Sequence, residues 1–363
     1  MPDRHRSHGA ERVEGVDEYS HPKGNDMTRF SGIAAALVAL VALVGGGPAA
    51  HAAGESRAQA AGEAAAHAAG SRCGEACLER IGAEYRAAYL KHDPSLAPIA
   101  SSVRFSENNV VLKFPDGSWD TVTQEIGPAL TFSDPLTGEV GIFTSVMQKD
   151  TPGFLAIRLR VEDGRITQIE HVLATRRYVS SPPAVFGDVH LRHDPVISTT
   201  LTPAQRRPRA ELVRLANGYY DTLQHNDGTI KTVFSPDCRR LENGMLATDG
   251  GCEQGFKLGL YAANDRVRGR DYFLVDEARG LVMARLYIDH KGVLDTIHRT
   301  DGRVTKSVFR EPQTWAGLEV FKIVNGAIRA VEADFINAPY GIPSVWPAEG
   351  AHGSPEACAA SPR

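Results

Sequence analysis

The sequence lacks a strong excess of charge of either sign and lacks an apolar run long enough to cross a membrane. Its formal net charge is −4 over 363 residues and its isoelectric point is about 6.4, whereas general nucleic-acid-binding domains are basic. Its clearest apolar run, residues 33–44, is shorter than the roughly 20 residues that a transmembrane helix needs. We therefore expect no nucleic-acid partner and no membrane span in the mature protein.

Motifs of the common cofactor and metal enzymes are also missing. The sequence contains no G-x-G-x-x-G, no Walker loop, no G-x-S-x-G, and no HExxH or H-x3-H among its 13 histidines. These absences predict a protein without a nucleotide cofactor and without a metal. The 42% hydrophobic and 23% charged residues are typical of globular proteins, and the length favours two domains plus tails.

Cysteine is rare, with five residues whose spacing predicts disulfides. Cys73 and Cys77 are close enough to form a disulfide before the first helix, and Cys238 and Cys252 bracket a turn-rich segment. The alternative, a zinc site, is disfavoured because neither spacing matches a common zinc ribbon. Cys358 is left over, and disulfides in turn favour an oxidising compartment.

The N-terminal segment has the features of an export signal. Residues 1–26 are polar and unpatterned, which indicates a misassigned start or a disordered segment. From Met27 a basic residue, the apolar run and the small residues Ala50 and Ala52 follow in the order of a signal peptide, so we expect a signal over 27–52. An uncleaved anchor is the alternative. Residues 53–70 read as a flexible lead-in, and the mature protein is expected to be secreted or periplasmic.

The remaining chain repeats one pattern. An amphipathic helix carries Leu78, Ile81, Tyr85 and Tyr89, and a second helix has the same spacing at Leu212, Leu215, Tyr219 and Leu223. The stretch Arg104-Phe105-Ser106-Glu107-Asn108 is echoed by Arg239-Arg240-Leu241-Glu242-Asn243. Turns at Asp163-Gly164 and at Asn325-Gly326 predict a final hairpin in each half.

This repetition predicts an α+β fold made of two tandem cone-shaped domains, each with helices packed on a curved antiparallel sheet. The expected boundaries are 71–179 for the first domain, 180–208 for a proline-rich linker, 209–346 for the second domain and 347–363 for a disordered tail. The second copy carries a longer loop at 290–315. In the first domain, Leu155, Ile157, Leu159 and Val161 alternate with more polar residues as in a half-buried strand.

Each half resembles the nuclear transport factor 2-like, SnoaL-like family. The resemblance rests on residues 78–89 and on three motifs: His92-Asp93-Pro94, Val103-Arg104-Phe105-Ser106-Glu107-Asn108, and Val161-Glu162-Asp163-Gly164-Arg165-Ile166-Thr167-Gln168-Ile169-Glu170. The two-copy form, with its cysteine pairs and the ending Ala338-Pro339-Tyr340-Gly341-Ile342-Pro343-Ser344-Val345-Trp346, is similar to a secreted fungal and bacterial family of unknown function. The resemblance implies a cone that hosts isomerases, cyclases, dehydratases and lyases as well as ligand carriers, with proton transfer by cavity residues and no cofactor.

Five residues are the candidates for acid/base chemistry. A carboxyl group in an apolar cavity is suited to proton transfer near neutral pH, a strand histidine could relay a proton, and an arginine could hold an oxyanion or a carboxylate. The candidate catalytic residues are Glu107, Glu242, His171, Arg104 and Arg239. The alternatives are that each arginine pairs with a neighbouring acid and that the histidine is simply packed.

Further polar residues near these positions are candidates for substrate binding: Asn108, Asn243, Tyr89, Tyr219, Glu170 and Glu332. The two His-Asp-Pro stretches, at 92–94 and 193–195, read instead as turns. The leading hypothesis is an exported, cofactor-independent lyase, dehydratase or isomerase that acts on a small organic molecule. Its expected assembly is an internal pseudo-dimer, with a homo-oligomer as a further option. The alternatives are a non-catalytic module that binds a small ligand and a purely structural or interaction protein whose cones are filled with side chains.

Overall fold

The computed structural model describes residues 73–175, 186–190, 193–248 and 251–346. Several predictions lie outside these residues: the start at 1–26, the signal peptide at 27–52, the lead-in at 53–70, the tail at 347–363 with Cys358, and part of the linker at 180–208. All described residues belong to one compact unit.

The first half consists of one long helix and a seven-stranded sheet. Helix α1 (Glu75–Lys91) ends at His92, whose left-handed backbone donates to the last carbonyls. The strands are β1 (Ile99–Glu107), β2 (Val110–Leu112), β3 (Val122–Glu125), β4 (Leu130–Asp134), β5 (Glu139–Gln148), β6 (Thr151–Glu162) and β7 (Arg165–Thr175). Their order in the sheet is β2-β1-β7-β6-β5-β3, with β4 also paired to β5. Short 3-10 turns occur at Pro94–Leu96 and Gly117–Asp120.

The second half repeats this order of helix and sheet. After a 3-10 turn at Pro203–Gln205 come helix α2 (Arg209–His225), the strands β8 (Phe234–Glu242) and β9 (Met245–Leu246), and the short helix α3 (Cys252–Lys257). The remaining strands are β10 (Arg266–Asp276), β11 (Leu281–His290), β12 (Thr296–His298), β13 (Val304–Lys306), β14 (Gln313–Val324) and β15 (Ala327–Pro339). The six-stranded sheet has the order β10-β11-β14-β15-β8-β9, and β12 and β13 form a separate hairpin inside the predicted long loop.

Each long helix packs against one face of its own sheet, as the helical spacing predicts. All four apolar positions singled out on α1 and all four on α2 are buried. The α1 positions join a core with β5, β6 and β7, and the α2 positions join a core with β10, β11, β14 and β15. The molecule is therefore a mixed α/β structure with two large curved sheets and few helices.

The other faces of the two sheets pack against each other. A third core combines Phe132, Phe143 and Val172 of the first sheet with Met283 and Leu318 of the second. For this reason the expected half-buried strand β6 is buried on both faces. The prediction that its polar face meets solvent was wrong: Arg158 is only 2% exposed and makes two hydrogen bonds to Glu139, of 2.9 and 2.6 Å.

The expectation of purely antiparallel sheets was also wrong. In each half the first strand pairs in parallel with the last one, β1 with β7 and β8 with β15. This pairing puts the two strands that carry the repeated motif and the final hairpin side by side. The final hairpins themselves form as predicted, β6 with β7 and β14 with β15.

The three central strands of both sheets share one register. In the first sheet, Phe143 lies opposite Ala156, which lies opposite Val172. In the second sheet, Arg285, Leu318 and Asp334 are paired in the same way. Residues of the two halves can therefore be compared position by position, and Glu170 on β7 corresponds to Glu332 on β15.

Both predicted disulfides are present. Cys73 is bonded to Cys77, and Cys238 is bonded to Cys252. The second one ties β8 to the start of α3. In the described ranges, no helix is both long and apolar enough to cross a bilayer.

Candidate active site

The parallel pairing of β1 and β7 brings two predicted residues together inside the first sheet. Glu107 and His171 are register partners, so their side chains point to the same face, which is the face covered by α1. His171 is completely buried, and its Nδ1 lies 3.5 Å from Glu107 Oε2. That separation is slightly longer than an ordinary hydrogen bond.

Tyr85 of α1 contacts the other side of the imidazole. Its hydroxyl lies 2.7 Å from His171 Nε2 and accepts a hydrogen bond of 3.3 Å from Trp119 Nε1. A phenol that donates to Nε2 leaves the proton of a neutral imidazole on Nδ1, which is the nitrogen that faces Glu107. Glu107, His171 and Tyr85, called here the relay, thus form a continuous line of polar groups.

Glu107 is held from its other side by the 3-10 turn Gly117–Asp120. Its carboxylate accepts hydrogen bonds from the backbone N–H of Ser118, at 3.1 and 3.2 Å, and from the Ser118 hydroxyl. The hydroxyl of Tyr89 in turn donates to Ser118 Oγ at 2.7 Å. Gly117 has a φ of +66°, and a Cβ there would lie 2.8 Å from Glu107 Oε1, so this turn requires glycine to approach the carboxylate.

The two tyrosines of the site remain protonated across the physiological range. Burial raises the pKa of Tyr85 and of Tyr89 well above the usual value of a phenol. They therefore act as hydrogen-bond donors rather than as bases. Among the relay residues, Glu107 alone has measurable exposure, with 12% of its side chain accessible.

The corresponding interior of the second sheet has a different chemistry. Glu242 forms an ion pair with Arg240, which also contacts Glu319 at 3.1 Å. Tyr219 corresponds to Tyr85, and its ring centre lies 5.8 Å from the Arg240 guanidinium. Burial raises the pKa of Glu319, while Arg240 opposes that shift. Ala333 replaces the histidine, since Glu319 faces Ala333 as Ile157 faces His171.

The repeated arginines lie away from these interiors. Arg104 is exposed on the face of β1 opposite α1, where it donates to the Val345 carbonyl and lies 4.8 Å from the Trp346 ring centre. Arg239 is half exposed and lies 4.0 Å from Asp194. The structure therefore does not bring either arginine next to Glu107 or Glu242.

The repeated asparagines support turns. Asn108 and Asn243 have positive φ angles, and each makes a pair of hydrogen bonds to the neighbouring last strand. Asn108 bonds to both backbone groups of Leu173, and Asn243 bonds to Phe335 in the same way. Their side chains thus fix the join between the first and the last strand of each sheet.

The two remaining predicted residues, Glu170 and Glu332, lie between the sheets. Glu170 makes two hydrogen bonds to Arg285 of the other half, of 2.8 and 2.5 Å. Glu332 instead bonds to the Nδ1 of His193 at 2.6 Å and accepts from the backbone N–H of Asp194 at 3.1 Å. Here Glu332 lines a small cleft together with Asp334.

Three residues of the relay region and two of the cleft were not among the predicted site residues: Tyr85, Ser118, Trp119, His193 and Asp334. The Pro115-Asp116-Gly117 turn and Trp119 are visible in the sequence, but nothing local shows that Ser118 meets Glu107. Within the described residues, no group of three or more His, Cys, Asp or Glu side chains is arranged to hold a metal ion.

Comparison with known proteins gives one family match and a set of distant structures. A family described as "Domain of unknown function (DUF8021)" matches residues 205–335, which is about a third of the chain and lies in its second half. No curated protein matches this sequence.

Three solved structures illustrate the distant set. AusH from Aspergillus nidulans is 15% identical, with 36% of this chain and 86% of that chain covered and a TM-score of 0.26. BvnE pinacolase from Penicillium brevicompactum is 16% identical, with 38% and 88% covered and a TM-score of 0.26. A de novo designed protein with a curved β-sheet is 16% identical, with 36% and 88% covered and a TM-score of 0.24. Similarity at this level assigns no activity and no ligand to the chain.

Proposed function

We propose that this protein is a cofactor-independent lyase, dehydratase or isomerase that acts on a small organic substrate by general acid/base chemistry at the relay. The observation that carries the proposal is the line of three polar groups, two of them fully buried, in which Tyr85 lies 2.7 Å from one imidazole nitrogen of His171 and Glu107 faces the other. A carboxylate oriented by an imidazole that is itself fixed by a third group is an arrangement suited to proton transfer.

Within this proposal the residues have distinct roles. Glu107 is the proton acceptor, because it is the relay residue with solvent access. Ser118 orients its carboxylate with two donors, and the Nδ1 proton of His171 stabilises the negative charge. Tyr85 is a positioning residue that fixes the imidazole tautomer. The substrate would be a small molecule with an acidic C–H bond, such as a sugar acid, an aromatic ketone or a polyketide-like dicarbonyl compound.

The test measures proton exchange rather than one assumed reaction. The oxidised protein is incubated in D2O with such compounds, and deuterium uptake, isomerisation or loss of water is followed by mass spectrometry. For a compound that reacts, we expect Glu107→Gln to lower kcat/KM by at least about 100-fold. Glu242→Gln is the matched control, because Glu242 is the repeated counterpart but is engaged by Arg240; it should change kcat/KM by less than about threefold.

Two outcomes would contradict the proposal. One is an unchanged kcat/KM in the Glu107→Gln variant, and the other is an equal loss in both variants. Thermal unfolding of both variants shows whether a loss of activity comes from a loss of folded protein.

We also infer that the two halves are copies of one cone-shaped unit, with the boundaries given above. The shared strand order and the shared register of the central strands support this inference. A protease site introduced at 180–185 should give two fragments that stay associated through the core between the sheets. Fragments that separate at once on size-exclusion chromatography would argue against this organisation.

We further propose that the mature protein is exported. The two disulfides, Cys73–Cys77 and Cys238–Cys252, support the proposal because they persist in oxidising compartments. Thiol titration of the protein recovered from culture medium, from periplasm and from cytoplasm tests it. We expect the disulfide-bonded form outside the cytoplasm, and accumulation of a reduced, uncleaved chain inside the cell would contradict export.

A further inference from the structure

A cleft between the two halves is separate from the relay. It encloses about 30 Å3 of space accessible to water, which is enough for about two water molecules, and it opens to solvent. Its walls come from the first sheet, from the linker and from the second sheet. The lining residues that matter here are Phe143, Phe154, His193, Leu241, Glu332 and Asp334.

The two halves differ at the position that faces the glutamate of the last strand. Glu170 and Glu332 correspond, but the arginine that neutralises Glu170 is Arg285, and the residue corresponding to Arg285 is Phe143. A phenylalanine cannot pair with Glu332. Glu332 therefore pairs with the linker instead of an arginine. The cleft lies beside it, where an arginine side chain would otherwise fit.

Glu332 is already satisfied by the linker. One oxygen accepts from the backbone N–H of Asp194, and the other lies 2.6 Å from His193 Nδ1. His193 Nε2 lies 2.9 Å from the Pro128 carbonyl, which can only accept. Both ring nitrogens of His193 therefore donate, and the imidazole is in its charged form. The charge of Glu332 is balanced where it lies.

Asp334 is different. It is 5% exposed and lines the cleft, yet no hydrogen-bond donor among the described residues reaches its carboxyl group. Burial and the neighbouring charge of Glu332 raise the pKa of Asp334 to about 8, against an opposing effect of His193. At neutral pH this group is an uncharged carboxylic acid that offers one donor and one acceptor to the cleft. A ligand hydroxyl in the cleft would bond to this group in place of solvent.

We propose that this cleft binds an uncharged organic molecule that carries a hydroxyl group, with the hydroxyl on Asp334 and the apolar part of the molecule against Phe143 and Phe154. A hydroxyl both donates and accepts at one atom, which matches a protonated carboxyl group. The enclosed space admits the hydroxyl and its carbon, and the rest of a small alcohol or phenol lies in the open part of the cleft, which Phe143 and Phe154 also line.

A charged ligand fits less well. The negative charge of Glu332 is balanced by His193, so little attraction is left for an amine. Among the described residues that line the cleft, a carboxylate would find no free cation, because His193 is already engaged by Glu332. The two rings and Leu241 favour an apolar body over a fully polar one such as a sugar.

Three probes of the same shape separate these possibilities: benzyl alcohol, benzylamine and benzoate. Each is titrated into the full mature protein at about pH 6.5, where the acid is protonated, and saturable binding is followed by ligand-observed NMR. We expect benzyl alcohol to bind at least about tenfold more tightly than the other two. Tighter binding of benzylamine would overturn the proposal in favour of a cation site, and absence of saturable binding of benzyl alcohol would overturn it altogether.

Two variants locate the binding. Asp334→Val introduces the residue found at the corresponding position, Val172, and should weaken benzyl alcohol binding at least about tenfold. Asp334→Asn keeps a donor and an acceptor of the same shape and should stay within about threefold of the wild type. Asp295→Asn, a change at an exposed acid far from the cleft, is the matched control. If Asp334→Val binds as the wild type does while both Asp334 variants remain folded by circular dichroism, the site is not in this cleft.

Discussion

Glu170 and Glu332 occupy the same position on the last strand of the two sheets, and their surroundings differ. Glu170 lies against Arg285 in a buried ion pair that also includes Asp271, 2.7 Å from the guanidinium. Glu332 lies beside a cleft and is neutralised by His193, a residue from outside the sheets. The same strand position is therefore part of a closed ion pair in one half, where an arginine faces the glutamate, and of an open polar site in the other, where a phenylalanine faces it.

The interiors show the same kind of divergence. His171 in the first half corresponds to Ala333 in the second, and the second interior is instead occupied by the Arg240 ion pairs. An arginine held by two carboxylates cannot exchange protons in the physiological range. The half whose glutamate borders the open cleft is thus the half without the histidine relay. The candidate proton-transfer site lies under α1 in the first half, whereas the candidate ligand cleft lies between the two sheets.

The largest effect is expected from breaking the closed ion pair. Arg285→Met leaves Glu170 buried without a partner, and we expect a loss of about 3–5 kcal/mol in the free energy of unfolding. Chemical denaturation measures it. The double variant Glu170→Gln/Arg285→Met should recover much of that loss, because the uncompensated charge is gone. A loss below about 1 kcal/mol in the single variant would show that the pair behaves like an exposed one and would remove the contrast between the halves.

The pH dependence of stability should report on the open site. The pKa of Asp334 is about 8 in the folded protein and about 3.9 in an unfolded chain. Between these values the folded state binds the extra proton, so the free energy of unfolding falls as the pH rises from about 4 to about 8. The slope from this group is at most about 1.4 kcal/mol per pH unit.

Asp334→Asn removes that contribution and leaves the others. The groups facing Asp334 are Glu332 and His193, and the pKa of His193, although lowered by burial, is raised overall by Glu332, which adds a slope of the same sign. Between pH 5 and pH 7 the free energy of unfolding of the wild type should therefore fall by about 2–3 kcal/mol more than that of Asp334→Asn, as measured by denaturation. A difference that does not change with pH would mean that Asp334 is ionised at neutral pH.

Much of this architecture follows from local pattern in the sequence. The apolar residues of α1 and α2 recur every three to four positions, and the Asp-Gly and Asn-Gly turns mark the final hairpins. What could not be predicted is which surface covers each face. The alternation in β6 shows that Arg158 and Leu159 point in opposite directions, but it cannot show that a second sheet covers the arginine.

The contacts within the two sites could likewise be predicted only in part from the sequence. Glu107 and His171 were predicted because of their residue types and their strands, and their contact follows from a parallel pairing that the sequence does not display. His193 was interpreted as part of a turn. Its partner Glu332 lies 139 residues further along the chain, so no local pattern links them. Burial of Asp334 likewise depends on the packing of two distant halves.

Converting the open site into the closed one sharpens the comparison. Phe143→Arg places an arginine at the position that corresponds to Arg285, facing Glu332 and Asp334. We expect the new guanidinium to occupy the cleft and to weaken benzyl alcohol binding at least about tenfold, equivalent to about 1.4 kcal/mol. It should also lower the pKa of Asp334, which carboxyl 13C NMR can follow. Phe143→Leu is the control for lost aromatic packing, and equal binding by Phe143→Arg and wild type would contradict the proposed equivalence.

The smallest effect on stability is expected from changing the cation that pairs with Glu332. This cation is His193, whereas Glu170 pairs with Arg285. Arg285 stays charged at every pH at which the protein is folded, whereas His193 can lose its proton. His193→Gln keeps a donor toward Glu332 without the charge, so we expect it to cost about 1 kcal/mol near pH 6, the difference between a charge-assisted and a neutral hydrogen bond. Because the folded-state pKa of His193 is raised above its usual value, its charge stabilises the fold at low pH and is lost as the pH rises through that pKa. The cost of His193→Gln should accordingly shrink toward zero near pH 9 in denaturation experiments. A cost that is the same at both pH values would show that the imidazole acts through packing alone, and the second half would then be no more sensitive to pH at this position than the first.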